Sequence, residues 1–146
     1  MSLLYADTSA LVGAYLADEP DHLKLQELLL RGNPVVTSEI ARVEFGSAVM
    51  AAARDRRIRK PDVILARFDA DCGADGMLTL LRLDSGPILD LAYRLVRNHV
   101  LGSLDAIHLA VAASEAKSLA GDEDVVLVTR DSRQIEAARK MGIVTA

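Results

Sequence analysis

The 146-residue sequence contains a single cysteine, Cys72, so no internal disulfide can form. One thiol is also too few for a cysteine-based zinc site, and it fits a protein of the reducing cytosol. No run approaches the ~20 apolar residues of a membrane span. Asp7 stands where a signal peptide would have its apolar core, and no basic residue precedes it. We therefore expect a cytoplasmic protein without membrane association.

Aromatic residues are equally scarce, with three tyrosines, two phenylalanines and no tryptophan. These rings are too few for the base-stacking platforms with which RNA-recognition motifs and OB-folds hold single strands. The formal net charge is -4 and the pI is about 5.3, so the surface as a whole repels nucleic acid. Any nucleic acid must be held locally, and through its phosphates.

The residues that are present have the make-up of a globular domain with a core, at 51% hydrophobic and 26% charged. No linker or repeat marks a second domain, so we expect residues 1–146 to form a single domain. Five apolar runs have the length of strands buried on both faces: 3–6, 34–37, 77–81, 125–129 and 142–145. The stretches with helical character are 9–16, 22–31, 38–54, 61–68, 88–98, 103–117 and 132–141. This alternation predicts the α/β class, with a mostly parallel sheet of about five strands and helices on both sides.

Two acids follow predicted strands directly. Asp7 comes after the first strand, with Thr8 and Ser9 next, and Asp131 comes just after the fourth, which ends at Thr129. In open α/β sheets ligands bind beyond the carboxyl ends of the strands, which favours a role for both acids in a site. Helix capping is a sufficient alternative for each, because Asp, Ser and Thr are preferred N-caps.

Two further acids fall on helix faces that are otherwise apolar. On a helical wheel Glu44 shares its face with Ile40 and Ala48, so an ionised carboxylate there needs a cation or hydrogen bonds to offset its burial. A buried ion pair with an arginine is the alternative. Asp105 lies in the first turn of a very apolar helix, where it also complements the helix dipole. His108 follows at i+3 on the same face; we interpret it as a core or hydrogen-bonded residue, outside the site.

The four carboxylates make a stronger argument as a set than singly. If they met in one pocket, their mutual repulsion would raise their pKa values unless a divalent cation neutralised them. Oxygen ligands without cysteine or paired histidines favour Mg²⁺ or Mn²⁺ over zinc. Such an ion lowers the pKa of bound water and stabilises charge on a phosphoryl oxygen. The set therefore predicts a metal site for phosphodiester chemistry, formed by Asp7, Glu44, Asp105 and Asp131.

The segments that carry these acids resemble the PIN-domain nucleases, and within them the VapC-type toxins of toxin–antitoxin pairs. "YADTSALVGAYL" is similar to the family's opening strand and first acid, and "VTSEIARVEFGSAV" to the segment with the second. "LDAIHLAVAA" resembles the helix with the third acid, and "VVLVTRDSRQIEAARKMGI" the closing strand, acid and helix. The resemblance covers essentially the whole chain and implies that the four acids are the catalytic metal ligands.

The same resemblance implies a three-layer α/β/α fold and a Mg²⁺- or Mn²⁺-dependent endoribonuclease that acts as a toxin and forms a homodimer. It also implies a cognate antitoxin whose tail occludes the acidic groove. Hydroxyls expected to hydrogen-bond metal ligands or metal-bound water are Thr8, Ser9 and Thr129. One departure is visible just before Asp105, where many relatives carry a basic residue and this chain has Gly102 and Ser103.

A basic stretch offers a local contact for RNA on this acidic protein. Residues 54–60, RDRRIRK, hold five of the chain's 17 basic side chains: Arg54, Arg56, Arg57, Arg59 and Lys60. They follow Glu44 by about 15 Å of helix, so they are placed to flank a groove and hold phosphates. Two alternatives are a solvated helix end that complements the dipole and a dock for an acidic antitoxin tail.

Three other functions fit parts of the pattern. Aspartyl-phosphate phosphatases need a second acid two residues after the first, where this chain has Ser9. Phosphoacceptor receiver domains, which are metal-binding modules without nuclease activity, need a lysine at the end of the last strand, and "GIVTA" has none. The sequence does not distinguish a toxin from a PIN nuclease that matures RNA. Growth arrest on induction would distinguish the two.

Overall fold

A computed structural model of the protein describes residues 2–146. Its five strands are β1 Leu3–Ala6, β2 Val35–Ser38, β3 Leu78–Leu81, β4 Val125–Val128 and β5 Val144–Thr145. They form one sheet in the order β3-β2-β1-β4-β5, and every pairing is parallel. Leu4 of β1 stands opposite Val35 on one side and Val126 on the other. The predicted α/β class is confirmed, with a sheet that is wholly rather than mostly parallel.

The helices are α1 Thr8–Tyr15, α2 His22–Leu30, α3 Ile40–Arg54, α4 Pro61–Asp71, α5 Ser85–Asn98, α6 Ser103–Val111, α7 Lys117–Ala120 and α8 Ser132–Lys140. A π-helical turn, Ala112–Ala116, joins α6 to α7 without a break. The helix predicted at 88–98 begins three residues earlier, because Pro87 falls in its first turn, where a missing N–H is tolerated. No helix within residues 2–146 is long and apolar enough to cross a membrane.

Side chains alternate across the sheet and build a separate core on each face. Leu4 and Ala6 of β1 pack with the first four helices, where Phe45 stacks on Phe68 at 4.0 Å between ring centroids. Leu3 and Tyr5 pack into the core formed with α5, α6 and α8. Helices therefore cover both faces of the sheet, and the expected three-layer α/β/α arrangement is confirmed.

The strand order positions the site. From β1 the chain moves outward through β2 and β3, then returns to place β4 and β5 on the other side of β1. The loops after β1 and β4 therefore diverge, and the crevice between them is where ligands bind in open α/β sheets. Receiver domains of flavodoxin-like topology place the second strand at the sheet edge, whereas here β3 lies outside β2. This order excludes the receiver-domain alternative.

Candidate active site

All four acids singled out in the sequence line one cavity of about 750 Å³ beyond the carboxyl edge of the sheet. Asp7 is the N-cap of α1, directly after β1, and Asp131 is the N-cap of α8, just after β4. Glu44 projects from the second turn of α3, and Asp105 from the first turn of α6. The structure therefore brings together side chains that are up to 124 positions apart, 131 minus 7, in the sequence.

Asp7 is the most firmly held of the four. It is only 2% exposed, and its Oδ1 accepts hydrogen bonds from Ser9 Oγ at 2.7 Å and from the Ala10 N–H at 3.0 Å. Its Oδ2 accepts a hydrogen bond from Thr129 Oγ1 at 2.7 Å. Burial raises the pKa of Asp7, and these donors offset part of that rise. Capping the helix and lining the cavity are not alternatives here, because one carboxylate does both.

The three predicted hydroxyls each hold one of the acids. Ser9 and Thr129 donate to Asp7, and Thr8 Oγ1 donates to Glu44 Oε1 at 2.9 Å. Thr129 Oγ1 also accepts the backbone N–H of Asp131 at 3.1 Å, so this hydroxyl joins the loops after β1 and β4. These contacts fit the role that the family resemblance implies for them.

Glu44 is paired with a histidine rather than with an arginine. His108, which is 1% exposed, places Nε2 at 2.6 Å from Glu44 Oε1 and Nδ1 at 2.7 Å from the hydroxyl of Tyr5. Burial acts to raise the pKa of Glu44, but the bonds from His108 and Thr8 outweigh it and hold that pKa below its ordinary value. His108 is thus the hydrogen-bonded core residue we expected, and it also lines the cavity; its i+3 spacing from Asp105 was the available signal.

Asp105 carries the least compensated charge. Its carboxylate has no hydrogen-bond partner among residues 2–146, and burial together with the nearby charges of Asp131, Asp7 and Glu44 raises its pKa to about 6. The Asp105 backbone carbonyl oxygen accepts a hydrogen bond from Nε2 of Gln134 at 3.1 Å. Sequence reasoning passed over Gln134, which looks like an ordinary residue of a surface helix but is fully buried.

One carboxylate oxygen of Asp131 caps the N-terminus of its helix. Its Oδ1 accepts the backbone N–H groups of Arg133 at 2.9 Å and of Gln134 at 3.1 Å, as an N-cap does. Its side chain still lines the cavity beside the other three acids. The predicted cap and the predicted site residue are again the same group.

Residues 4–140 match the family described as the PIN domain. This chain belongs to the PIN-domain family. Ribonuclease VapC47 of Mycobacterium tuberculosis (strain CDC 1551 / Oshkosh) is 32% identical over 148 residues, which cover 99% of this chain and 96% of the relative. The predicted family is therefore confirmed.

Solved structures agree on the fold of this PIN domain. Mycobacterium tuberculosis VapC20, a toxin that cleaves the sarcin-ricin loop, matches with a TM-score of 0.67 and 16% identity over 92% of this chain and 94% of that one. VapBC from Salmonella typhimurium, solved bound to DNA, matches with a TM-score of 0.63 and 18% identity over 100% and 98% of the two chains. At these identities the matches establish the shared architecture.

The acids of this PIN domain fit a hard divalent cation. No three His, Cys, Asp or Glu side chains within residues 2–146 already stand in a metal-binding arrangement. The donors are nevertheless carboxylate oxygens, which suit Mg²⁺ or Mn²⁺. Burial and then the neighbouring carboxylates raise the pKa of Asp105, and a cation at this point would favour its ionised form.

The basic stretch lies outside this cavity. Its five side chains are exposed at the end of α3 and in the turn towards α4: Arg54, Arg56, Arg57, Arg59 and Lys60. Arg57 donates from Nε to Asp18 at 2.7 Å and from Nη2 to Glu19 at 2.6 Å. One of the five is therefore engaged in ion pairs on the protein itself.

Proposed function

We propose that this PIN domain is an endoribonuclease that requires Mg²⁺ or Mn²⁺ and hydrolyses RNA phosphodiester bonds. The observation that carries the proposal is the convergence of four carboxylates from four separate elements on one cavity, at the point where the strand order reverses. The residues that would hold the ion are Asp7, Glu44, Asp105 and Asp131. A bound ion supplies a more acidic water and stabilises charge on the phosphoryl oxygen.

The chain's own contribution is to fix these carboxylates before substrate arrives. Ser9 and Thr129 hold both oxygens of Asp7, which keeps it oriented in spite of its burial. His108 and Thr8 hold one oxygen of Glu44 and favour its ionised form. Such pre-orientation lowers the reorganisation that the reaction requires.

The proposed biological role is that of the toxin in a VapC-type toxin–antitoxin pair. The curated relative is a ribonuclease, and the solved neighbours include VapBC complexes. Part of the cavity wall is apolar and exposed to solvent, since Val43 is 74% and Leu104 43% exposed. We propose that a cognate antitoxin covers this wall, that the toxin forms a homodimer, and that the pair acts in the cytoplasm.

RNA would contact both the acidic cavity and the exposed basic stretch. We propose that the exposed basic side chains after α3 hold backbone phosphates outside the cavity, while the metal site accepts the phosphate to be cut. Arg54, Arg56, Arg59 and Lys60 carry this role more directly than Arg57, because Arg57 already contacts two acids.

The decisive experiment is cleavage of a mixed RNA pool by purified protein with Mn²⁺, with EDTA, and by Asp105→Asn. Asp90→Asn is the matched control, since Asp90 is an exposed acid of α5 away from the cavity. We expect cleavage by the wild type and Asp90→Asn with Mn²⁺, and none with EDTA or by Asp105→Asn. Equal cleavage by Asp105→Asn would refute the site.

The toxin role has its own test. Induction of the wild type should arrest growth, and induction of Asp105→Asn should not. Cleavage in the test tube without growth arrest would instead favour a PIN nuclease that matures RNA.

A further inference from the structure

The cavity that holds the four acids has one arginine and no lysine among its lining residues. Beside those acids it is also lined by Glu19, and the only Lys or Arg that reaches it from the described residues is Arg130. A phosphodiester entering such a cavity meets a strongly negative wall. A cation in a fixed position next to that wall would guide the phosphate.

Arg130 is held in place from two directions. It lies in the loop after β4, between Thr129 and Asp131, and its backbone N–H donates to Ser9 Oγ at 3.0 Å. Its Nη1 donates to Glu19 Oε2 at 3.1 Å. Its position is therefore tied to the same hydroxyl that holds Asp7.

Gly13 of α1 provides the room for this side chain. A Cβ atom added at Gly13 would lie 3.3 Å from Nη1 and 3.5 Å from Cδ of Arg130, and closer still to Leu25. The Arg130 side chain thus packs against α1 at Gly13, the one glycine of that helix. Its side chain remains 26% exposed and lines the cavity.

Glu19 contacts two arginines, so its negative charge is not spent on Arg130 only. Glu19 Oε1 accepts a hydrogen bond from Arg57 at 2.6 Å, while its other oxygen faces Arg130. Arg57 therefore shares in neutralising Glu19. Since a guanidinium has about five N–H donors, most of those of Arg130 are left for a further acceptor.

We propose that Arg130 binds a phosphate of the RNA backbone at the mouth of the cavity, and that Glu19 is the positioning residue that holds it there. This inference rests on the proposed endoribonuclease function and adds the residue that makes an acidic cavity accept its anionic substrate. Arginine suits the task because its planar fork meets two phosphate oxygens at once. The contact serves RNA of any sequence, since phosphates carry no base information.

The test measures binding of a short single-stranded RNA by Asp105→Asn protein with Mn²⁺, over a series of salt concentrations. The variants Arg130→Ala and Arg130→Lys are made in this background. The control is Arg94→Ala, at an exposed arginine of α5 that does not line the cavity. We expect Arg130→Ala to weaken binding about tenfold for RNAs of different sequence, and to reduce the slope of log affinity against log salt by about 0.7. Arg130→Lys should keep the slope and lose part of the affinity, and Arg94→Ala should change neither.

The possible results separate this inference from the function on which it rests. Unchanged affinity and slope in Arg130→Ala would overturn it while leaving RNA cleavage by the wild type intact. Weaker binding with an unchanged slope, together with a lower melting temperature, would assign Arg130 a structural role and overturn it as well. Failure of the wild type to cut any RNA, with no RNA binding by Asp105→Asn, would remove the endoribonuclease proposal itself.

Discussion

His108 Nε2 lies 2.6 Å from Glu44 Oε1, and this contact connects the buried interior of α6 to a carboxylate of the site on α3. Burial raises the pKa of the Tyr5 hydroxyl, so Tyr5 keeps its proton at neutral pH and can donate it to Nδ1. The ring then presents Nε2–H to Glu44. The orientation of one proposed metal ligand is therefore set by two residues that the metal would not touch.

The replacement His108→Leu tests this relationship. It leaves Glu44 without its closest donor and Tyr5 without an acceptor, so we expect the free energy of unfolding to fall by roughly 1.5–3 kcal/mol. Denaturant unfolding at pH 7.5 measures the change. Tyr5→Phe, which removes only the outer bond, should have a smaller effect. A stability loss from Tyr5→Phe as large as that from His108→Leu would show that the ring does not hold Glu44.

Asp105→Asn should stabilise the metal-free protein at neutral pH. The folded-state pKa of Asp105 is raised to about 6 from an ordinary 3.8, so its protonated form contributes stability that is complete below about pH 4 and lost as the pH rises through 6. Asparagine has no ionisable proton and stays neutral across this pH range. Because Asp105 is only half-buried, solvent screening reduces the expected gain to roughly 1 kcal/mol.

Thermal melts in EDTA at pH 7.5 and pH 4 provide the measurement. The difference in melting temperature between Asp105→Asn and the wild type should be positive at pH 7.5 and should shrink towards pH 4. Asp90→Asn should show no such pH dependence. A variant no more stable than the wild type at pH 7.5 would contradict the charge crowding inferred for the site.

Apolar patterning predicted the elements well and their arrangement less completely. The run LLYA predicts β1 with its observed bounds, because a short continuous apolar run is typical of a strand that is buried on both faces. Gly86 and Pro87 suggest a later start for α5, whereas a proline in the first turn is compatible with a helix. The strand order is set by which helices pack on which face, a tertiary property that local sequence does not record.

The candidate site was predictable where a single residue carries its own signal. Glu44 and Asp105 stand out because an acid on an apolar helix face needs an explanation. His108 and Arg130 gave weaker signals, because their roles depend on partners 64 and 111 positions away in the sequence. Such contacts become visible only once the chain is folded.

Arg56→Ala and Arg57→Ala should behave differently although the residues are adjacent. Arg56 is exposed, so we expect its loss to weaken RNA binding at low salt and to leave stability unchanged. Arg57 bonds Asp18 and Glu19, so its loss should lower the melting temperature slightly. Thermal melts and salt-dependent RNA binding distinguish the two. Equal RNA binding by Arg56→Ala and the wild type would remove the basic stretch from the interface.

Gln134→Met tests whether a buried amide sets the spacing of two of the acids. Gln134 donates its N–H to Asp131 and its Nε2 to the Asp105 carbonyl oxygen, so it bridges the helices that carry both side chains. Its Oε1 is buried without a partner among residues 2–146, so methionine removes an unpaired acceptor along with the donor, and we expect stability to change by no more than about 1 kcal/mol. Mn²⁺ affinity, measured by calorimetry, should fall about tenfold. Gln26→Met on α2 should leave it unchanged, and an unaltered affinity in Gln134→Met would mean that the two acids find their spacing without this bridge.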